Sequence, residues 1–372
     1  MFGRSFCVSC RDRHVNLMAM ISGILHLILA AAAPIVLGSG VEARMTVLES
    51  EQRDGYECSL IEYNVTETER VRSYLLIPDG ARDGAVFPGL VMLHDHGARF
   101  DIGKEKLVRP LASAPENIRR SSAQWVGDNF DGVCFADSLA ALGYAVIVPD
   151  MLYWGSRSSA LCRRWSRMKF CGEEGDIGRV KDLVYEGQRA VYDSLARGGV
   201  NWAVKTLEED AAAARLLGSL GFVDKDRIGC FGWSMGAHRA WLLAAFCPEI
   251  RTGVAPCWMT LKETCPPPYK ASDYSMLIPE LRDRYDFPDI ARLLVPKPFF
   301  FLNGSQDKLF PVWAVERSFS RMQEIYESEG ACGKLRTEFF DGPHHCGREV
   351  QRLITEYLDS CLKDACSDGG GA

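Results

Sequence analysis

The pentapeptide Gly232-Trp233-Ser234-Met235-Gly236 carries the residue types in this 372-residue chain that most directly suggest chemistry. A serine becomes a nucleophile when the chain leaves a strand, turns sharply and enters a helix, so that the hydroxyl stands exposed. The helix N-terminus then favours developing negative charge. Side chains two before and two after the serine would collide in such a turn, which is where the two glycines stand. Residues 227–231 read as the strand and 237–246 as the helix that the turn requires. Ser234 is therefore the expected nucleophile, and the Met235 amide an expected oxyanion donor.

A serine needs a base, and beyond residue 43 the histidines are His94, His96, His238, His344 and His345. His238 lies one helical turn past Ser234 and cannot reach back to it. His94 and His96 follow an apolar strand, where the backbone amide of Ala98 would supply a second oxyanion donor. The loop Gly342-Pro343-His344-His345 remains, with His344 the expected base and His345 the alternative. The acid is expected at Asp307, where Asn303-Gly304-Ser305-Gln306-Asp307 leaves a strand; Asp341, Asp273 and Glu263 are the other candidates. The His94-x-His96 pair also permits a metal site, with His344 or Asp307 as a third ligand, and a purely structural pair is the other reading. The expectation is no metal and no cofactor.

These residues need a scaffold, and the pattern supplies an α/β one. Residues 58–65 and 71–77 read as an antiparallel hairpin. Continuous apolar runs at 89–93, 144–148, 227–231, 253–255 and 298–302, with 334–340 after them, read as strands of a mostly parallel sheet. Helices are expected at 130–142, 177–196, 201–220, 237–246, 312–327 and 348–362, covering both faces. Residues 100–129 and 258–287, rich in Pro, Arg and aromatics, read as insertions over the carboxyl edge, where open α/β sheets bind ligands. Tyr153, Trp154, Trp165, Trp258 and Tyr274 are candidates for lining the cleft, or for packing a lid.

Composition bounds the rest. An apolar fraction of 47% and a charged fraction of 25% are ordinary for a globular protein with a real core. A net charge of −6 with no long basic run argues against nucleic acid as a partner. Arg4, Arg11 and Arg13 precede an apolar stretch at 17–37, so residues 1–43 read as an export signal or an uncleaved membrane anchor, residues 44–366 as the catalytic domain and 367–372 as a flexible tail. An exported chain could oxidise some of its 14 cysteines; Cys162 with Cys171 and Cys361 with Cys366 are the candidate pairs.

Together, His94-Asp95-His96-Gly97, Gly103-Lys104-Glu105-Lys106, the run 144–150, the Trp-Ser-Met-Gly-Ala elbow and Gly-Pro-His-His resemble secreted bacterial α/β-hydrolases near the acetyl xylan esterase and dienelactone hydrolase groups, over roughly residues 57–362. The resemblance implies the α/β-hydrolase fold and cofactor-free ester hydrolysis, often of acyl groups on carbohydrates. Dienelactone hydrolases typically use a cysteine nucleophile; Ser234 turns the reading toward the esterases. The alternatives are a peptidase of the prolyl-oligopeptidase type and a non-catalytic binding protein on the same fold. The former usually carries a large β-domain that the short stretch ahead of the first strand cannot supply.

Overall fold

The computed structural model describes residues 42–267, 270 and 272–363. The expected leader (save its last residues), the C-terminal tail, Cys7, Cys10 and Cys366 lie outside the described residues. Nine strands form one sheet in the order β1-β2-β3-β5-β4-β6-β7-β8-β9. The strands are β1 (Met45–Arg53), β2 (Tyr56–Asn64), β3 (Arg70–Pro78), β4 (Phe87–Leu93), β5 (Ala145–Pro149), β6 (Val223–Gly232), β7 (Thr252–Pro256), β8 (Phe299–Gly304) and β9 (Leu335–Phe340). From β5 onward across the sheet every pairing is parallel; β1, β2 and β3 are antiparallel to their neighbours, and β3 meets β5 antiparallel.

The parallel strands read as unbroken apolar runs because both faces are covered. In β4, Val91 and Leu93 enter one core while Leu90 and Met92 enter the other; in β8, Phe299 and Phe301 are divided from Phe300 and Leu302 in the same way. One face packs on the helices α5 (Trp202–Ser219), α6 (Met235–Phe246) and α9 (Val312–Ser328). The other packs on α1 (Glu116–Phe130), α2 (Phe135–Ala141) and α10 (Arg348–Leu362). Burying each such Phe or Leu contributes ~1.5–3 kcal/mol, which is what makes this period-two division decisive for register.

Three elements differ from expectation. Strand β1 falls in the stretch before the expected first strand. It is largely exposed and charged, so it carries no apolar alternation, and its backbone pairing with β2 alone defines it. The expected helix at 130–142 is two helices, α1 ending at Phe130 and α2 starting at Phe135, because Asp131 and Gly132 both take left-handed backbone (φ 53° and 75°). Within the insertion expected at 100–129 the chain forms a buried turn at Lys104–Lys106 and the helix α1. The third is α3 (Ala160–Cys171), a helix not expected, while α4 (Ile177–Arg197) matches the one expected at 177–196; two short helices, α7 (Pro279–Arg284) and α8 (Ala291–Leu294), lie between β7 and β8. Cys162 and Cys171 both lie on α3, nine residues and therefore about 13 Å apart along its axis, beyond disulfide reach. Both are free thiols; the expected partner of Cys361, Cys366, lies outside the described residues.

Candidate active site

Adjacent parallel strands bring their loops to one edge of the sheet. Leu93 at the end of β4 pairs with Gly232 at the end of β6, and Gly304 at the end of β8 pairs with Phe340 at the end of β9. The four loops that follow these residues hold the residues read as functional.

Ser234 sits between β6 and α6 with φ 55° and ψ −125°, a conformation that costs an L-residue energy and is held by its surroundings. Its N–H donates to the Pro256 carbonyl at 3.0 Å, fixing the turn against β7. A Cβ at Gly232 would lie 2.0 Å from the Gly236 carbonyl oxygen, and one at Gly236 would lie 2.0 Å from that of Leu93. Both glycines are thus dictated by backbone contact. The Met235 N–H has no acceptor among the described residues.

His344 lies in the loop after β9, 15% exposed at its side chain. Its Nε2 is 3.0 Å from Ser234 Oγ and its Nδ1 2.8 Å from Asp307 Oδ2. Carboxylate at Nδ1 places the proton there and leaves Nε2 to accept from the serine. Asp307 is itself held: its Oδ1 accepts the N–H groups of Leu309 and Phe310 at 2.8 and 3.2 Å, and its side chain is fully buried. Gly304 is a functional position not singled out from sequence. A Cβ there would come within 2.4 Å of the Gly342 and 2.5 Å of the Pro343 carbonyl oxygens, so only glycine lets the Asp307 and His344 loops pack together. Trp233 flanks His344, ring centroids 5.1 Å apart.

The remaining expected site residues lie elsewhere. His345 turns away and meets Asp131 Oδ1 at 2.8 Å. Asp341 accepts from Ser305 and Gln306 at the surface. Asp273 accepts the Lys270 N–H, and Glu263 faces Arg317 at 4.0 Å. The Ala98 N–H, expected as an oxyanion donor, is engaged by His96 Nδ1 at 3.0 Å instead. Gly97 and Ala98 both take left-handed backbone (φ 52° and 51°), which folds that amide back onto the ring. With Nδ1 accepting, His96 Nε2 carries its proton and faces the Gln188 amide at 3.3 Å; the Gln188 Oε1, otherwise without a partner, meets it once that amide is turned. His94 is fully buried, its Nδ1 donating to the Asp95 carbonyl and its Nε2 accepting the Met151 N–H. Burial pushes His96 down to about 3 and His94 well below the usual range. Every ring nitrogen of the pair thus has a protein partner.

The donor atoms of Cys257, Asp307 and His344 lie within 4.8 Å of one another. A metal there would have to displace the Asp307–His344 hydrogen bond and deprotonate a thiol that burial pushes up to about 12. The groups present fit a proton relay better than a metal site.

Sequence reasoning missed a layer of buried charge beneath these loops. Lys106, fully buried, donates through Nζ to the Asp95 carbonyl (2.7 Å), Asp95 Oδ2 (3.3 Å) and the His96 carbonyl (2.9 Å). Lys104 pairs with Asp150 at 2.7 Å, and Asp150 also accepts from the Lys104 and Ser156 amides. Arg239 on α6 pairs with Asp210 at 2.7 Å and reaches the His94 carbonyl at 3.4 Å. The aromatics behave mainly as packing. Tyr153 and Trp154 are buried and donate to the Val184 and His96 carbonyls; Tyr274 stacks on Tyr192 at 4.9 Å. Trp165 lies under the Arg99 guanidinium, and Trp258 is wedged between His238 and Phe310.

A mostly parallel, doubly covered sheet with a serine on a strained strand–helix turn and an Asp-held histidine after the last strand is the architecture of the α/β-hydrolase fold. The comparisons with known proteins narrow this. The Dienelactone hydrolase family matches residues 123–265. YtaP of Bacillus subtilis, a protein assigned as a hydrolase, is 23% identical over 311 residues, covering 81% of this chain and 89% of YtaP. A protein assigned as an acetyl xylan esterase from Bacteroides fragilis superposes with a TM-score of 0.65 at 17% identity, covering 87% of this chain and 75% of its own. Glucuronoyl esterase from Solibacter usitatus gives 0.55 at 12% identity, with 86% of each chain covered. Acetyl xylan esterase 1 from a Thermoanaerobacterium species gives 0.53 at 15%, covering 88% and 91%. Residues 123–265 thus resemble the dienelactone hydrolase family, and the chain has the fold shared by these esterases.

Proposed function

We propose that the protein is a serine esterase that cleaves carboxylic esters through an acyl-enzyme. The observation that carries this is the continuous relay from Ser234 Oγ through His344 to a buried Asp307, set on the strained turn. His344 Nε2 takes the serine proton as Oγ bonds to the ester carbonyl carbon. The alkoxide leaves as an alcohol with that proton, and water, activated by the same nitrogen, releases the acid. Asp307 fixes the tautomer and stabilises the imidazolium.

The Met235 N–H, free of a protein acceptor among the described residues, is one oxyanion donor. Ala98 serves as the second by exchanging His96 Nδ1 for the substrate oxygen. Each such donor is worth on the order of 10²–10³ in turnover. Acyl groups on carbohydrates are the substrate class of this reading, in keeping with the two structures named as acetyl xylan esterases. Export, with residues 1–43 as a signal or an anchor, belongs to the same reading; no helix among the described residues is long and apolar enough to cross a membrane.

The test is hydrolysis of p-nitrophenyl acetate together with fluorophosphonate labelling. Ser234→Ala and His344→Ala should lose turnover by about 10³-fold or more, while His345→Ala keeps it. Activity surviving in Ser234→Ala would end the assignment.

A further inference from the structure

Aromatic rings of this chain mostly pack inward, with one clear exception. Among the described residues Trp313, 46% exposed, is the one aromatic in the set of exposed large hydrophobic side chains, and Leu309, at 67%, is the most exposed of that set. Single exposed apolar residues need no explanation. These two call for one because of the segment they stand on.

That segment supports the relay. Leu309 and Phe310 donate their N–H groups to Asp307 Oδ1 at 2.8 and 3.2 Å, and the Phe310 ring faces His344 with centroids 6.0 Å apart. Trp313 follows three residues later, in the first turn of α9, so its Cα lies within ~11 Å of that of Phe310. The buried side of α9 is formed by Ala314, Val315, Ser318 and Phe319. Trp313 and Arg317, four residues apart, share the outward side. The Arg317 guanidinium lies over the Trp313 ring at 5.2 Å and is 4.0 Å from Glu263, in the loop after β7. Both charged side chains are largely exposed, so their pairing is weak and their hydrogen-bonding capacity is open to a ligand. One stretch of chain thus braces Asp307 and His344 at its start and ends in an aromatic plate edged by a guanidinium and a carboxylate.

We propose that Trp313, with Leu309, is the platform for the leaving group of the ester, and that this leaving group is a saccharide. The proposal rests on the serine esterase reading above and names the residues that recognise its alcohol part. The chemistry assigns the alcohol rather than the acyl side. The leaving oxygen takes its proton from His344 Nε2, so the alcohol lies next to His344, whose support is the same segment that carries Trp313. The acyl group stays on Ser234, which leads into α6. A sugar ring suits the plate: its C–H face packs on an indole, and its rim of hydroxyls meets Arg317 and Glu263. A purely apolar alcohol would desolvate those two charges without replacing their hydrogen bonds. Two side chains offer a ring-sized area, far short of the ~800 Å² per partner of a stable protein interface.

The experiment compares kcat/KM for acetylated xylotetraose and for ethyl acetate, whose leaving group is too short to reach Trp313. The proteins are wild type, Trp313→Ala and Trp313→Phe, each checked by thermal melting. Calorimetry follows binding of acetylated xylotetraose to Ser234→Ala and to Ser234→Ala/Trp313→Ala. Loss of the plate should cut the ratio of saccharide ester to ethyl acetate about tenfold, the upper end for a contact to an aromatic ring. Trp313→Phe should restore most of that ratio, and binding should weaken by a similar factor in the double variant. An equal loss with both esters, or saccharide binding untouched by Trp313→Ala, overturns the platform. No turnover of either ester by wild type overturns the esterase reading, and the leaving-group assignment with it.

Discussion

Replacing Lys106 by Met tests whether buried charge holds the loop beside the nucleophile. The ammonium has three N–H groups and three acceptors, the Asp95 and His96 carbonyls and Asp95 Oδ2. The charges around it are Asp95, Arg99 and Asp101, and burial is the largest influence, lowering Lys106 to about 8 against the pull of Asp95. It is still protonated at neutral pH. Methionine matches its length and keeps the contact with the Trp125 ring, over which Nζ sits at 5.1 Å. It leaves Asp95 buried with one side-chain donor, Trp125 Nε1 at 3.2 Å. Removing one member of a buried pair costs about 3–5 kcal/mol, most of it the penalty of the abandoned charge. At ~2 °C per kcal/mol for a domain this large, the melting temperature should fall by roughly 6–10 °C. The double variant Asp95→Asn/Lys106→Met removes both charges and should recover at least half of that loss, so a double-mutant cycle reads the coupling. The assay is urea and thermal unfolding beside ester turnover. A Lys106→Met protein within about 1 kcal/mol of wild type, or a double variant no better than the single, would refute the reasoning.

Acid stability follows from three buried neutral histidines. His96 and His238 are lowered to about 3 and His94 well below its usual range, mainly by burial, whereas an unfolded histidine titrates near ~6.5. Between these values the unfolded chain binds protons the folded one does not, so stability is lost as pH falls below about 6.5, by up to ~1.4 kcal/mol per pH unit for each ring. Urea midpoints from pH 7 to 4 should show a slope reduced by about that amount in His238→Phe; an unchanged slope would count against the assignment. Gly236→Ala places a Cβ 2.0 Å from the Leu93 carbonyl oxygen, whereas Gly127→Ala on α1 meets nothing within 4 Å. The former should cost at least about 3 kcal/mol and abolish turnover; the latter should be neutral or stabilising by up to ~1 kcal/mol, both read by thermal melting.

The sequence by itself determined the parts whose signals are local. Continuous apolar runs placed the central strands, because a strand buried on both faces needs no polar alternation. The glycines flanking Ser234 and the loops after the last two strands pointed to the positions that the fold brings within hydrogen-bond range. Tertiary structure decided what depends on distant partners. Asp131, 214 positions away, draws His345 aside and leaves His344 facing Ser234. The Ala98 amide is turned onto His96 by left-handed backbone at Gly97 and Ala98, which no periodicity records. Strand β1 exists through pairing, not burial. In the sequence Lys104 and Lys106 stand out only as part of the Gly103-Lys104-Glu105-Lys106 run that carries the resemblance. Only the fold shows them desolvated against Asp150 and Asp95, because a buried charge is defined by what surrounds it in space, and its partners here lie 11 to 46 residues away.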